Sequence, residues 1–252
     1  MKFGFPIASR MASTSTFPGQ SRNGTPARGW WVLPLIGLMV GLAGFAMPVA
    51  GADAAAPRTA DSNYDPRLGA PFTRRERAVL GAATAEVVVV EFSSFKCTHC
   101  RTFHDRIFPQ LRKEYIDPGK VQWVVINASN DSADQVAQVF LIARGALRQG
   151  KYWEMAGSLF QVGLRPASDL ADLVAKSSLL DRSELEATLR DPTLSAAVAA
   201  DFAEYAQLKL RGTPTFLVRK LGRDGRWTGA LIEDIQPLDY FQRVLDELLK
   251  TP

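Results

Sequence analysis

Cysteine and histidine are nearly absent from this chain: 252 residues hold two of each. That scarcity excludes a small scaffold stapled by several disulfides. It also falls short of a four-ligand structural zinc site of two cysteine pairs. Acidic residues are missing altogether from the first 52 positions, which carry Lys2, Arg10, Arg22 and Arg28. The formal charge of +4 comes from those four, because the remaining basic and acidic residues balance at 26 each. No basic patch or basic stripe interleaved with aromatics remains to call for a nucleic-acid partner. Internal repeats and long low-complexity tracts are missing too.

The acid-free start leads into an apolar run from Trp30 to Ala50, followed by Ala50-Gly51-Ala52 and then Asp53. Positive flank, apolar segment and small residues together predict an export signal cleaved before Asp53. The run is also long enough for an uncleaved membrane anchor. Either way the body of the protein is expected outside the cytoplasm, in the periplasm or an equivalent compartment, since the positive flank stays inside. Residues 53–74, with Pro57 and Pro66 among small and polar neighbours, predict a linker. The remaining 75–250 suffice for one packed domain with an insertion.

The two cysteines stand three apart, Cys97-Thr98-His99-Cys100, directly after the apolar run Val87-Val88-Val89-Val90-Glu91-Phe92. On a helix that spacing puts both sulfurs on one face, within reach of a disulfide. Cys97 at the helix N-terminus would meet unpaired N–H groups and the positive end of the dipole, which favour a thiolate. Lys96 precedes it, and His99 could donate or carry charge toward the same sulfur. Cys97 is therefore expected as nucleophile and Cys100, one turn inside, as resolving thiol. A stabilised thiolate favours the dithiol, which makes the disulfide an oxidant. An incomplete zinc site using His99 or His104, and a purely structural disulfide, remain open at this point.

Continuous valines over 86–92 predict a strand covered on both faces. Residues 78–93 look like a strand pair turning at Gly81-Ala82-Ala83. Phe103, Ile107, Leu111 and Tyr115 predict a helix interrupted at Pro109. Val121–Ile126 reads as the next strand. Residues 132–210 read as helical, with caps at Ser132 with Gln135, Ser183 with Glu186, and Asp191 before Pro192. Thr215–Arg219 and Trp227–Ile232 predict a hairpin around Gly222-Arg223-Asp224-Gly225, and Pro237 opens a last helix. Such an order predicts an α/β domain.

Over about residues 75–250 the chain resembles the DsbA-like branch of the thioredoxin superfamily. The carriers are Glu91-Phe92-Ser93-Ser94-Phe95-Lys96-Cys97-Thr98-His99-Cys100, Arg101-Thr102-Phe103-His104, Lys151-Tyr152-Trp153-Glu154-Met155 and Gly212-Thr213-Pro214-Thr215-Phe216. The resemblance implies a thioredoxin-like fold with an inserted α-helical domain at about 132–210. It implies catalytic roles for Cys97, Cys100, His99 and Glu91, with Glu91 as a buried carboxyl of raised pKa that moves protons near the second cysteine. His99 would stabilise the thiolate, while His104 has no matching role and is expected on the helix surface. Thr213 and Pro214 would bind substrate, Pro214 through a cis bond and Thr213 through backbone pairing with an extended chain.

The implied activity is that of an exported thiol:disulfide oxidoreductase donating its disulfide to reduced, unfolded proteins. No cofactor beyond the redox-active Cys97–Cys100 pair is implied, and a membrane redox partner would reoxidise it. Thr98 departs from the family's commonest oxidases, which have proline there, and Thr213-Pro214 also occurs in disulfide isomerases. Reductase or isomerase, metallochaperone and peptide-binding chaperone are the alternatives.

Overall fold

Seven consecutive residues, Val87–Ser93, form strand β2, and every one of them is buried. In the computed structural model, which describes residues 65–72, 76–129, 133–163 and 167–251, β2 is the middle of a five-stranded sheet. It runs parallel to β3 (Val121–Asn127) and antiparallel to β4 (Thr215–Leu221), and β4 continues the sheet to β5 (Trp227–Glu233). The two sides of β2 feed different cores. Val88, Val90 and Phe92 pack with Leu68, Tyr205 and Leu217, whereas Val87 and Val89 face Phe103, Trp123 and Phe216. Alternation at period two explains the split, and apolar residues on both faces explain the unbroken valine run.

The expected strand pair over 78–93 does not form. β1 (Ala78–Leu80) pairs antiparallel with β3 at the far edge, so the sheet order is β1-β3-β2-β4-β5. Gly81 turns the chain with φ +93°, where a Cβ would strike the Val121 carbonyl. The hairpin of β4 and β5 forms with Leu221 opposite Trp227.

Helix α1 (Thr98–Arg106) follows β2 and ends one residue before Ile107; Pro109 then sits in the first turn of α2 (Phe108–Leu111). Proline is tolerated there because the first-turn N–H groups lack partners anyway. Between β3 and β4 the described residues form five helices: α3 (Ala133–Arg148), α4 (Tyr152–Val162), α5 (Ala167–Lys176), α6 (Arg182–Leu189) and α7 (Pro192–Gln207). Asp191 caps α7 as expected, but α6 is capped by Asp181, which accepts from the Glu184 N–H at 2.9 Å and from the Ser183 hydroxyl. The Asp181 carboxylate takes the first-turn N–H, and the Ser183 hydroxyl is spent donating to it, so the cap falls two residues earlier than Ser183. Of the expected Ser132–Gln135 cap, Ser132 lies outside the described residues. α8 (Leu238–Lys250) closes the chain behind Pro237.

Residues 65–72, within the stretch expected as a linker, are docked on the sheet. Leu68 is buried, and the Arg219 guanidinium donates to the Leu68 and Ala70 carbonyls at 2.6 and 2.8 Å while lying over Phe72 and Trp227. The leader, its cleavage site and the apolar run 30–50 lie outside the described residues. Among the described residues no helix is long and apolar enough to cross a membrane.

Candidate active site

Cys97 is the N-cap of α1. Its extended backbone, φ −97° and ψ 123°, turns the sulfur back over the first helical turn, where it accepts from the Cys100 N–H at 3.4 Å. Both thiols are reduced. Cys97 is partly exposed and Cys100 is buried, with the Ser94 N–H pointing at its sulfur from 3.5 Å. Hydrogen bonding from Cys100 is the largest influence on Cys97. With bonds from the Cys100 and His99 backbone and from Thr213, it outweighs partial burial and brings the Cys97 pKa down to about 5. Burial drives the Cys100 thiol far up, and the neighbouring Cys97 adds to the rise. One spacing thus yields two unlike sulfurs.

The Thr213–Pro214 peptide is cis and places the Thr213 carbonyl 3.1 Å from the Cys97 sulfur. Neighbouring carbonyls are already engaged: Gly212 accepts from the Thr215 hydroxyl, and Pro214 accepts from the Asp234 N–H. Beside Thr213 lies a cavity of about 300 Å³ lined by His99, Arg211, Gly212, Thr213, Thr215, Glu233 and Asp234. The ion pair Arg211–Glu233 stands on its wall at 3.1 Å.

His99 departs from the expectation. Its ring is more than half exposed and its Nδ1 lies 2.7 Å from Asp234, so its side chain is held by a carboxylate. What reaches Cys97 from this residue is its backbone. Asp234 comes from the end of β5, 135 positions away, and nothing local in the sequence announces it.

Glu91 and His104 exchange the expected emphasis. Glu91 is wholly buried in β2, and burial by itself raises its pKa. Yet its carboxyl ends below the ordinary range, because His104 Nε2 lies 2.8 Å from Oε1 and Trp123 Nε1 donates to Oε2 at 2.8 Å. The expected raised pKa is therefore corrected: the charge and hydrogen bond of His104, with smaller contributions from Trp123 and Ser93, outweigh desolvation. His104 is not a surface residue. Its side chain is 11% exposed and its ring lies against Phe103, Phe108 and Phe160. The clue was available: a carboxylate on a fully apolar strand needs a donor, and His104 stands one turn beyond Cys100.

The inserted helices hold the loop before Cys97. Phe95 packs on Phe160 of α4, ring centroids 4.8 Å apart, and on Phe140 and Tyr152. Gly163, at the end of α4, is backed directly by the Phe95 carbonyl, so an added methyl would be driven into backbone. Gly163→Ala is expected to cost about 1–3 kcal/mol of stability and to raise the Cys97 pKa, read from thiolate absorbance against pH. An unchanged titration would mean that the loop yields without moving the thiol.

Comparison with known proteins places these observations in context. Residues 73–228 match a family model described as thioredoxin. Disulfide bond formation protein D of Bacillus subtilis is 26% identical over 149 residues, 56% of this chain and 66% of that protein. A probable disulfide bond formation protein D of Bacillus cereus is 31% identical over 157 residues, 58% of this chain and 72% of that one. Among solved structures, alpha-DsbA1 of Wolbachia pipientis covers 73% of this chain and 94% of its own with a TM-score of 0.61 and 21% identity, a likeness of fold.

Proposed function

The chain belongs to the thioredoxin family, in the DsbA-like branch of thiol:disulfide oxidoreductases, and from that premise we propose that it is an exported oxidase donating the Cys97–Cys100 disulfide to folding proteins. The observation that carries this reading is the inequality of the two sulfurs: an accessible Cys97 lowered to about 5 and a buried Cys100 pushed up. A low-pKa, accessible sulfur is both the preferred point of attack and the better leaving group.

In this reading a substrate thiolate attacks Cys97, and Cys100 departs, taking up a proton. A second substrate thiolate then attacks the substrate sulfur of the mixed disulfide, forming the substrate's disulfide and releasing the Cys97 thiolate. The substrate lies along Thr213 as an added strand, with Pro214 supplying no N–H of its own. Glu91 exchanges protons with Cys100, and His99 shapes the entrance together with Asp234. No bound cofactor takes part; the electrons stay on the pair until a membrane redox partner removes them. Residues 1–52 direct export, by cleavage or as an anchor, to the oxidising side of the membrane.

Equilibration with glutathione redox buffers tests the direction. An oxidase is expected near −120 mV and a reductant near −270 mV on the scale of known members, all values about. A result near the second figure would sink the oxidase reading in favour of a reductase.

A further inference from the structure

Ser93 ends β2 two residues after Glu91, so both side chains leave the strand on the face that α1 covers. Its side chain is buried, 4% exposed, and its hydroxyl has no well-formed hydrogen bond among the described residues. A buried hydroxyl without a well-aligned bond is a cost to the fold and asks for an explanation. The explanation lies in its two neighbours. The next residue, Ser94, points its N–H at the Cys100 sulfur from 3.5 Å, which sets that sulfur over the end of β2 where Ser93 emerges. The Ser93 hydroxyl is close enough to both the Glu91 carboxyl and the Cys100 thiol to lower each of them. It can turn its hydrogen toward either anion.

We propose that Ser93 is a catalytic residue whose hydroxyl relays the Cys100 proton to Glu91 during the resolving step. The inference rests on the reading of Glu91 as proton acceptor for Cys100. With oxidised glutathione as oxidant, the Cys97 thiolate first displaces one glutathione thiolate and forms a mixed disulfide. Cys100 then gives its proton to the Ser93 oxygen while the Ser93 hydroxyl proton passes to Glu91. The freed electron pair on Cys100 forms the bond to Cys97, and the Cys97–glutathione bond breaks with its pair leaving on glutathione. Two electrons pass in all: the dithiol is oxidised, and one oxidised glutathione becomes two reduced ones.

The groups around Glu91 suit a carboxylate that starts ionised and can pass its proton on. From α1, His104 is bonded to Oε1 and reaches solvent; from β3, Trp123 bonds Oε2; from α4, Tyr152 feels the Glu91 charge. The Tyr152 phenol is held protonated, chiefly by burial, so it does not compete as acceptor.

Acid-quenched mass spectrometry of the reduced protein mixed with oxidised glutathione separates the two steps. Ser93→Ala is expected to leave mixed-disulfide formation unchanged and to slow its resolution about 100-fold, at the low end of general acid–base effects. Ser93→Thr, which keeps the hydroxyl, is expected to resolve at the original rate. Glu91→Gln is expected to slow resolution as well, and the Glu91→Gln, Ser93→Ala double variant to be no slower than the slower single one. If Glu91→Gln slows resolution and Ser93→Ala does not, the relay is overturned while the Glu91 reading stands. If neither slows it, both fall. Equal slowing by Ser93→Ala and Ser93→Thr would trace the effect to packing and overturn the relay.

Discussion

Cys97→Ser is expected to abolish thiol exchange, while Cys100→Ser leaves a protein that captures one thiol partner and holds it. The asymmetry follows from position. Cys97 is the sulfur that solvent and the Thr213 loop can reach, and Cys100 lies beneath it. Mass spectrometry after mixing with oxidised glutathione checks both halves: no adduct on the first variant, and one lasting adduct on the second. A lasting adduct on the Cys97→Ser protein would reverse the assignment.

The titration makes the same point quantitatively. Folding lowers the Cys97 pKa from 9.0 to about 5, so the thiolate stabilises the reduced protein. This contribution is fully present above pH about 9 and is lost as pH falls through about 5. At pH 7 a group with a pKa of about 5 is roughly 100-fold more thiolate than thiol, which shifts the exchange equilibrium by a similar factor. That corresponds to a potential about 60 mV more oxidising than for a pair with ordinary thiols. Alkylation of Cys97 is expected to run at a constant rate from pH about 6 to 8 and to fall below 5. Cys100→Ala removes the largest stabilising contact and is expected to move that midpoint upward, whereas Cys100→Ser keeps a donor and moves it less. A midpoint near 8.5 in the unaltered protein would sink the strong-oxidant reading.

What the sequence disclosed, and what it hid, follows the range of the interactions. β2 was legible because valines on both faces leave no alternative to a covered strand, and the β4–β5 hairpin because Gly222 and Gly225 bracket its turn. β1 was not, since the three residues from Ala78 to Leu80 are too few to mark which strand they join. A backbone turn at Gly81 under Val121 decides for β3. At the site, the helix-cap role of Cys97 is a local property and was readable. The partner of His99 and the second partner of Glu91 are not. Asp234 reaches His99 from another strand, and Trp123 reaches Glu91 across the sheet. Burial of Glu91 was inferred correctly, but the sign of its shift depends on donors that only the fold assembles. Ser93 is part of the motif in sequence, but its place between Glu91 and Cys100 emerges only in the fold.

The second large effect is expected far from the cysteines, at Asp201. This carboxylate of α7 accepts from Arg77 at 2.9 and 3.1 Å, from Arg144 of α3, and from the Asn127 N–H at the end of β3 at 3.2 Å. Arg77, Arg144 and Asp201 side chains are 2–3% exposed, and Glu204 completes the neutral set by pairing with Arg77 at 2.6 Å. The cluster is already short of acceptors: Arg144 Nε and Nη1 are buried without hydrogen-bond partners among the described residues. Asp201→Asn keeps the volume and removes the charge, leaving two buried guanidinium groups against one partly exposed carboxylate. Breaking a buried pair in this way costs about 3–5 kcal/mol, a large share of the ~5–15 kcal/mol that stabilises an ordinary domain. Urea denaturation followed by tryptophan fluorescence reads the loss, and a change below about 1 kcal/mol would mean that the cluster is wet or rearranges. The damage is also expected to travel to the site. Asn127 is followed by Ala128, whose N–H bonds the Ser93 carbonyl, and Ser93 and Ser94 carry the chain into the loop of Phe95 and Cys97. Asp201→Asn is therefore expected to raise the Cys97 pKa while still folded, whereas an apolar replacement of Arg77, Arg144, Asp201 and Glu204 together, at similar volume, is expected to recover stability.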